Sequence, residues 1–189
     1  MCKICETKPV YEFTNKRRVC KNCFIRWFQK KVLYTIKKFS MIKRADVIGY
    51  VSGECFRDEV LEDVLKYYDN KAPIEIIKLK RSHSNIPIIP KSVDKLAISN
   101  NLDVVGEKVI ITLLDNKISN LKLKPVEDKI IRPLYLFLDK ELLLYAKLKK
   151  LKFKVFKKNK NKLSSFIDDL EKKHPEIKRA IVNSYLKLV

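Results

Sequence analysis

Between Cys23 and Phe39 apolar residues return every three or four positions, at Ile25, Phe28, Val32, Ile36 and Phe39, while Arg26, Lys30, Lys31, Lys37 and Lys38 fill much of the remainder. That period predicts an amphipathic helix with a basic outer face. After a short connector, SMIKRAD, the run VIGYV reads as a buried strand leading into a helix around Val60 to Tyr68. Two further strands, APIEIIKL and KLAIS, precede a helix over DVVGEKVIITLL that ends in the turn-like pair Asp115 and Asn116. Between those strands KRSHSNIPIIPK is punctuated by Pro87 and Pro90 and reads as a connector.

The last third alternates again. Asp139 is placed to cap the helix DKELLLYAKLKK, LKFKVF alternates as a strand, and Ser164 or Ser165 can cap a further helix ending near His174. Pro175 suits the first turn of a final helix, because its missing amide would go unpaired there anyway. Strands alternating with helices imply an α/β fold with a mostly parallel sheet flanked by helices.

Composition narrows the classes. The 189 residues can bury one core with a small appended module, and 46% hydrophobic residues is ordinary for a globular protein. No apolar run approaches the roughly 18 residues needed to span a bilayer, and MCKICETKPV lacks the apolar stretch of a secretory signal, so a soluble protein of the reducing cytoplasm is expected, with no membrane partner. Charge changes the picture more. Forty-two Lys and Arg against 22 Asp and Glu leave +20, and growth at high temperature would raise both signs together. A polyanionic partner, nucleic acid first, would relieve that repulsion.

Four of the five cysteines form two C-x-x-C pairs, Cys2 with Cys5 and Cys20 with Cys23, fourteen residues apart. Each pair can present two thiolates from a tight knuckle, so four sulfurs can close a tetrahedron around a structural zinc ion. An iron–sulfur cluster can use the same four ligands. A disulfide framework fits a cytosolic chain poorly. Because Cys23 opens directly into the basic helix, the module either presents that helix rigidly to a ligand or caps the core of the next domain. His83 and His174 are not needed as ligands. The three glycines, at 49, 53 and 106, are too few for a glycine-rich phosphate cradle of the usual kind.

The order of these features resembles the tRNA 2-thiolation enzymes, the zinc-bearing members of the PP-loop ATP pyrophosphatase superfamily (adenine nucleotide alpha hydrolase-like). The opening of that family, C-x-x-C, then C-x-x-C-F and a basic helix, is similar to CKIC, CKNCF and IRWFQKKVLYTIKKF. Its strand and S-G-G-K-D-S loop stand where this chain has VIGYVSGECFRDEVL, and its G-H-N-L-D-D-E-A is echoed by SNNLDVVG. Its I-R-P-L recurs as Ile131 to Leu134, its L-Y-A as Leu144 to Ala146, and its later His-Pro and Ser-Tyr as LEKKHP and NSYLKL. The resemblance implies a trimmed PP-loop domain over residues 40–189 behind a zinc-binding module and basic helix over residues 1–39.

The departures bear on activity. Ser52 and Gly53 remain, but Glu54 stands at the second loop glycine and Cys55 or Phe56 where the family has lysine, with about one residue inserted. A carboxylate facing pyrophosphate is repelled by about 4 kcal/mol per charge pair at an effective dielectric near 20. Only Arg57 is near enough in sequence to replace the lysine. The internal C-x-x-C-G, the later single cysteine, the second acidic pair after N-L-D and the carboxy-terminal zinc finger have no counterpart here. Cys55 is the only cysteine outside the paired cluster.

These residues lead to the expectation of a non-catalytic paralogue that holds structural zinc on Cys2, Cys5, Cys20 and Cys23, keeps a degenerate phosphate loop at Ser52, Gly53, Glu54 and Cys55, and does not depend on ATP. By the resemblance its ligand is tRNA and its partner a second copy or an active thiolation subunit. The residues expected to meet RNA are Arg17, Arg18, Lys30 and Lys31 on the module, and Lys147, Lys149, Lys150, Lys152, Lys154, Lys157 and Lys158 in a stretch, Lys140 to Lys162, that holds ten lysines. The alternatives are an active ATP-dependent tRNA sulfurtransferase with a rebuilt loop, and a zinc-containing protein-interaction module.

Overall fold

In the computed structural model, which describes residues 1–80, 89–115, 121–154 and 162–188, with side chains for all but 162–164 and 168, the chain opens with a short hairpin. Strands β1 (Tyr11–Glu12) and β2 (Arg18–Val19) pair antiparallel, Tyr11 opposite Val19. The predicted basic helix comes next as α1 (Lys21–Lys38). Its buried stripe is Phe24, Phe28, Val32, Thr35 and Ile36, so the inward face is centred on Phe24, with Ile25 only half-buried.

A five-stranded sheet carries the rest. Strand β3 (Val47–Val51) runs into α2 (Phe56–Asp69), then β4 (Glu75–Leu79), β5 (Lys95–Ala97) and α3 (Leu102–Leu114). The hairpin β6 (Val126–Glu127) and β7 (Ile130–Ile131) leads to α4 (Asp139–Leu148), α5 (Lys162–Lys173) and α6 (Ile177–Leu188). The order across the sheet is β4-β3-β5-β7-β6; the first four strands are parallel and β6 is antiparallel to β7. From β3 the chain crosses to β4 on one side, and from β5 it moves to β7 on the other. The gap between β3 and β5 is therefore the switch point of the sheet, and ligands of open α/β sheets bind outside the carboxyl ends of the strands at such a point.

Two apolar clusters hold the layers. The larger joins α1, α2 and α4 to Ile48, Tyr50, Ala97 and Ile131 of the sheet, and extends without a break to Cys2, Val19 and Cys20 of the amino-terminal module. At its centre the Phe28 ring stacks on Tyr145 at 4.0 Å and packs on Phe137 at 4.3 Å. The smaller joins α3 and α6 through Leu102, Val105, Val109, Val182 and Tyr185, together with Leu123, Tyr135 and Leu138. Among the described residues no helix is long and apolar enough to cross a membrane.

Several local expectations are corrected. Leu138, not Asp139, is the N-cap of α4; Asp139 is its first residue, and the free amide of Leu138 is met by Glu141 Oε2 at 3.0 Å. Leu151 to Lys154 form no strand: the Leu151 amide turns back to Ala146 O, the Lys154 amide bonds Glu54 O, and Val155 and Phe156 lie outside the described residues. Ser164 and Ser165 lie within α5, which begins at Lys162. Pro175 sits in the turn before α6, which begins at Ile177. His174 lies at that junction, its amide bonded to Leu170 O and its carbonyl to the Ile177 amide. His83 and most of the proline-punctuated connector lie outside the described residues.

Candidate metal centre, closed phosphate loop and basic groove

The two knuckles bring four sulfurs together. Cys5 Sγ lies 3.6 Å from Cys2 Sγ, 3.3 Å from Cys20 Sγ and 3.7 Å from Cys23 Sγ, and all four ligand atoms fall within 4.8 Å of one another. The backbone makes this possible. The amide of Glu6 turns back to Cys2 O at 3.0 Å with Glu6 in the left-handed region, the amide of Cys2 bonds Thr7 O, and the amide of Lys3 bonds Arg18 O, which ties the first knuckle to β2. The thiols are not bridged.

A single ion with metal–sulfur bonds near 2.3 Å sets tetrahedral sulfurs about 3.8 Å apart, and the observed spacing matches that size. A cubane iron–sulfur cluster binds each thiolate through a different iron and spreads the sulfurs wider. Hydrogen bonds, first from Thr7, bring the Cys20 thiol down to about 6, while burial and its sulfur neighbours push Cys23 up to about 12. Four thiolates this close need a cation between them to ionise together. The residues present fit a metal ion.

At the switch point the loop Ser52 to Cys55 joins β3 to α2, and Cys55 is the N-cap of the helix. The position in front of the loop is filled by the chain itself. A Cβ built on Gly53 would lie 1.8 Å from Asp58 Oδ2, so the carboxylate rests against the loop backbone and a larger residue at 53 would have to displace it. Asp58 is held by Ser99 Oγ at 2.5 Å and by the Cys55 thiol at 3.1 Å. Burial and this carboxylate push the Cys55 thiol up, which keeps it protonated and a poor nucleophile.

Arg57 does not face the loop. Its guanidinium grips Asp139 by two bonds of 2.6 and 2.5 Å, and Asn101 Nδ2 adds a third to the same carboxylate at 2.8 Å. Glu54 is engaged as well, its carbonyl accepting from the Lys154 amide at 2.7 Å and its carboxylate from Lys154 Nζ at 2.6 Å, with the rings of Phe56 and Phe153 edge to face beside them. Behind this layer Asp103 accepts from the amide of Asp139 and from Lys178 Nζ. The N-L-D echo is thus structural: Asn101 caps α3 by accepting from the amide of Val104, and Asp103 anchors α4 and α6. In the I-R-P-L echo, Arg132 is buried and donates to the carbonyls of Lys122 and Lys124.

The expected RNA contacts divide. Lys30 is exposed, and among the described residues neither it nor Arg26 has an acidic partner. Lys147, Lys150 and Lys152 are exposed too. Lys31 is not a surface cation: its side chain is 17% exposed, its Nζ is 3.1 Å from Glu141 Oε2, and it lies over Trp27 and Phe137 at 4.8 and 4.4 Å. Arg18 pairs with Glu12, Lys149 with Asp63, and Lys154 with Glu54. Arg17 lies over the Phe13 ring. Lys157 and Lys158 lie outside the described residues.

Glu141, Lys178, Asp58 and Ser99 hold these arrangements without being marked by any motif. Only Asp58 carries a signal in the sequence, its position beside the loop. Glu141 and Lys178 look like surface residues of lysine-rich helices until the packing shows them buried.

Fold and site together define the class: an open, mostly parallel α/β domain with its loop at the PP-loop position, fronted by a four-cysteine module. The chain superposes on the U34-tRNA thiolase NcsA from Methanococcus maripaludis, a structure determined with its [4Fe-4S] cluster, with a TM-score of 0.78 at 20% identity over 99% of this chain and 86% of that one. The fold is that of the PP-loop tRNA thiolases. No family model and no curated protein matches the sequence. A cluster of the kind NcsA carries would have to use the amino-terminal thiols here, because Cys55 is the only other cysteine.

Proposed function

We propose that this chain is a non-catalytic, zinc-bearing relative of the tRNA-thiolating ATPases that acts by binding tRNA in the cytoplasm, as a homodimer or beside an active thiolation subunit. The observation that carries the reading is the occupied loop. Asp58 covers Gly53, Glu54 is paired with Lys154, and Arg57 is bonded to Asp139. Among the described residues an incoming triphosphate would meet the Asp58 carboxylate and find Arg57 and Lys154 already paired, and would have to break one of those pairs to recruit a cation. The net charge of +20 and the exposed Arg26, Lys30, Lys147, Lys150 and Lys152 support a polyanionic ligand.

Zinc is the metal the donor set suits best: four thiolates, a closed first shell and no redox demand. Its part is to fix the amino end of α1, since Cys20 and Cys23 bracket the start of the helix.

Calorimetric titration of ATP with magnesium into the metal-loaded chain, alone and with tRNA, is expected to give no binding heat, while filter binding of tRNA weakens steeply as salt rises. An active ATP-dependent sulfurtransferase is the second reading, and Arg57 is the residue that would serve it. AMP formed in the presence of tRNA and a sulfur donor would establish that reading and remove the first. A protein-interaction module would instead retain a protein partner from native extract after nuclease treatment and ignore tRNA.

A further inference from the structure

Along α1 two concavities meet. One, of about 440 Å³, is lined by Arg26, Trp27, Lys30 and Tyr34 beside the first knuckle. The other, of about 450 Å³, runs from Phe13 and Asn15 toward Leu102, Arg179 and Asn183. They share Arg17, Trp27 and Lys31, so they form one groove with Trp27 at its waist.

The lining has an unusual composition. Among the described residues no carboxylate borders either concavity; Arg17, Arg26 and Lys30 are the cations of the first that have no acidic partner, while Lys31 and Arg179 are paired with Glu141. Aromatic surface stands open between the charges, Tyr34 being 57% exposed. At the shared point Arg17 lies over the Phe13 ring, its Nε buried and without a hydrogen-bond partner among the described residues.

We infer that this groove seats an unpaired nucleotide of RNA, its base on the exposed Tyr34 ring beside Trp27, its phosphates on Arg26 and Lys30, and an acceptor of the nucleotide on the Arg17 guanidinium. The inference rests on the tRNA-binding reading and adds to it which part of an RNA the chain grips. A duplex buries its base faces in its own stack and offers mainly phosphates and groove edges, so an aromatic floor gives it nothing. A base turned out of a loop uses both the ring surface and the charges. A volume of about 440 Å³ falls in the range of small-ligand sites and accommodates one nucleotide.

Trp27 is the only tryptophan in the chain, so intrinsic emission reports on this groove and nowhere else. The full, metal-loaded chain is titrated with a single-stranded RNA hexamer of mixed sequence and with the fully paired duplex of the same sequence. The expected result is saturable quenching by the single strand, with the duplex at least about fivefold weaker. Tyr34→Ala and Arg26→Gln, both at exposed positions, are each expected to weaken the hexamer about fivefold or more while the thermal midpoint stays in place. Trp27→Phe keeps a ring in the cluster and is expected to retain most of the affinity.

Hexamer binding that leaves Trp27 emission unchanged overturns the inference, as does equal affinity for duplex, or quenching by poly-glutamate in place of RNA. If tRNA binds with a steep salt dependence but Trp27 does not respond, the nucleotide seat is wrong and the tRNA reading survives. If the hexamer quenches Trp27 and intact tRNA does not bind, the seat stands and the tRNA reading falls.

Discussion

Arg57 reaches across the switch point of the sheet and is bonded twice to Asp139, the first residue of α4. Both side chains are about a quarter exposed, so the pair is only partly screened. Asp139→Asn leaves Arg57 with a weaker partner and is expected to lower stability by about 1–3 kcal/mol in urea unfolding. It is not expected to create ATP binding, because Asp58 and Glu54 stay in front of the loop. An ATP titration that shows heat for Asp139→Asn alone would mean that the pair is a latch on a working site.

The contact between Gly53 and Asp58 is steric and can be tested as such. Gly53→Ala places a methyl against the Asp58 carboxylate and is expected to cost about 1–3 kcal/mol. Asp58→Ala removes the obstacle, so the double variant is expected to lose less than the two single changes added together. Simple additivity in the four-way cycle would show that the crowding is not what constrains position 53.

Lys30 and Lys31 are neighbours in sequence with opposite expectations. Lys30→Gln is expected to leave stability within about 0.5 kcal/mol of the parent and to reduce the salt slope of RNA binding by about one. Lys31→Gln removes a partner from Glu141, which is 1% exposed, and is expected to cost about 2–4 kcal/mol of stability. Salt-dependent binding and chemical denaturation on the two variants separate the roles, and a reversal of the pattern refutes the assignment.

Metal analysis is expected to give one ion per chain, and Cys5→Ala, at the most exposed of the four ligands, to lose it. Chelation is expected to lower the melting temperature and the helicity, since the start of α1 is pinned between Cys20 and Cys23 and the binding energy of such a site is folding energy. Unchanged melting after complete metal removal would reduce the cluster to an ornament.

Cys55 gives a pH prediction. Burial, then the hydrogen bond to Asp58, raises its thiol above the ordinary cysteine range. A raised value leaves less thiolate at any given pH, so alkylation of Cys55 in the metal-loaded chain is expected to run slower than that of a free thiol near pH 8 and to catch up only in stronger base. Asp58→Asn should shift the profile toward lower pH. A profile already saturated near neutrality would reopen nucleophilic chemistry at this residue.

Much of the architecture was legible because its signals are periodic. The strand and helix over VIGYV and FRDEVLEDVLKYYD announce themselves by a change of period, and the paired cysteines by their spacing. What stayed hidden depends on tertiary packing. LKFKVF has the alternation of a strand, yet Lys154 pairs its amide with Glu54 in the loop and Phe153 meets Phe56, so the run serves the loop and not the sheet. Asp139 has the chemistry of a cap, but the backbone places Leu138 there and leaves the carboxylate for Arg57. Lys31 cannot be told from Lys30 by composition; a helical step of one residue, about 100°, turns one outward and the other toward Glu141.

Glu141 binds Lys31 from one direction and Arg179 from another, so residues 148 positions apart are fastened to one carboxylate. On a ribosome the first of them emerges long before the last. The second concavity can therefore be completed only after α6 has been made, and a chain interrupted before residue 177 would lack the wall formed by Arg179 and Asn183. Quality control acting on such fragments would meet Glu141 with only one of its two cations in place.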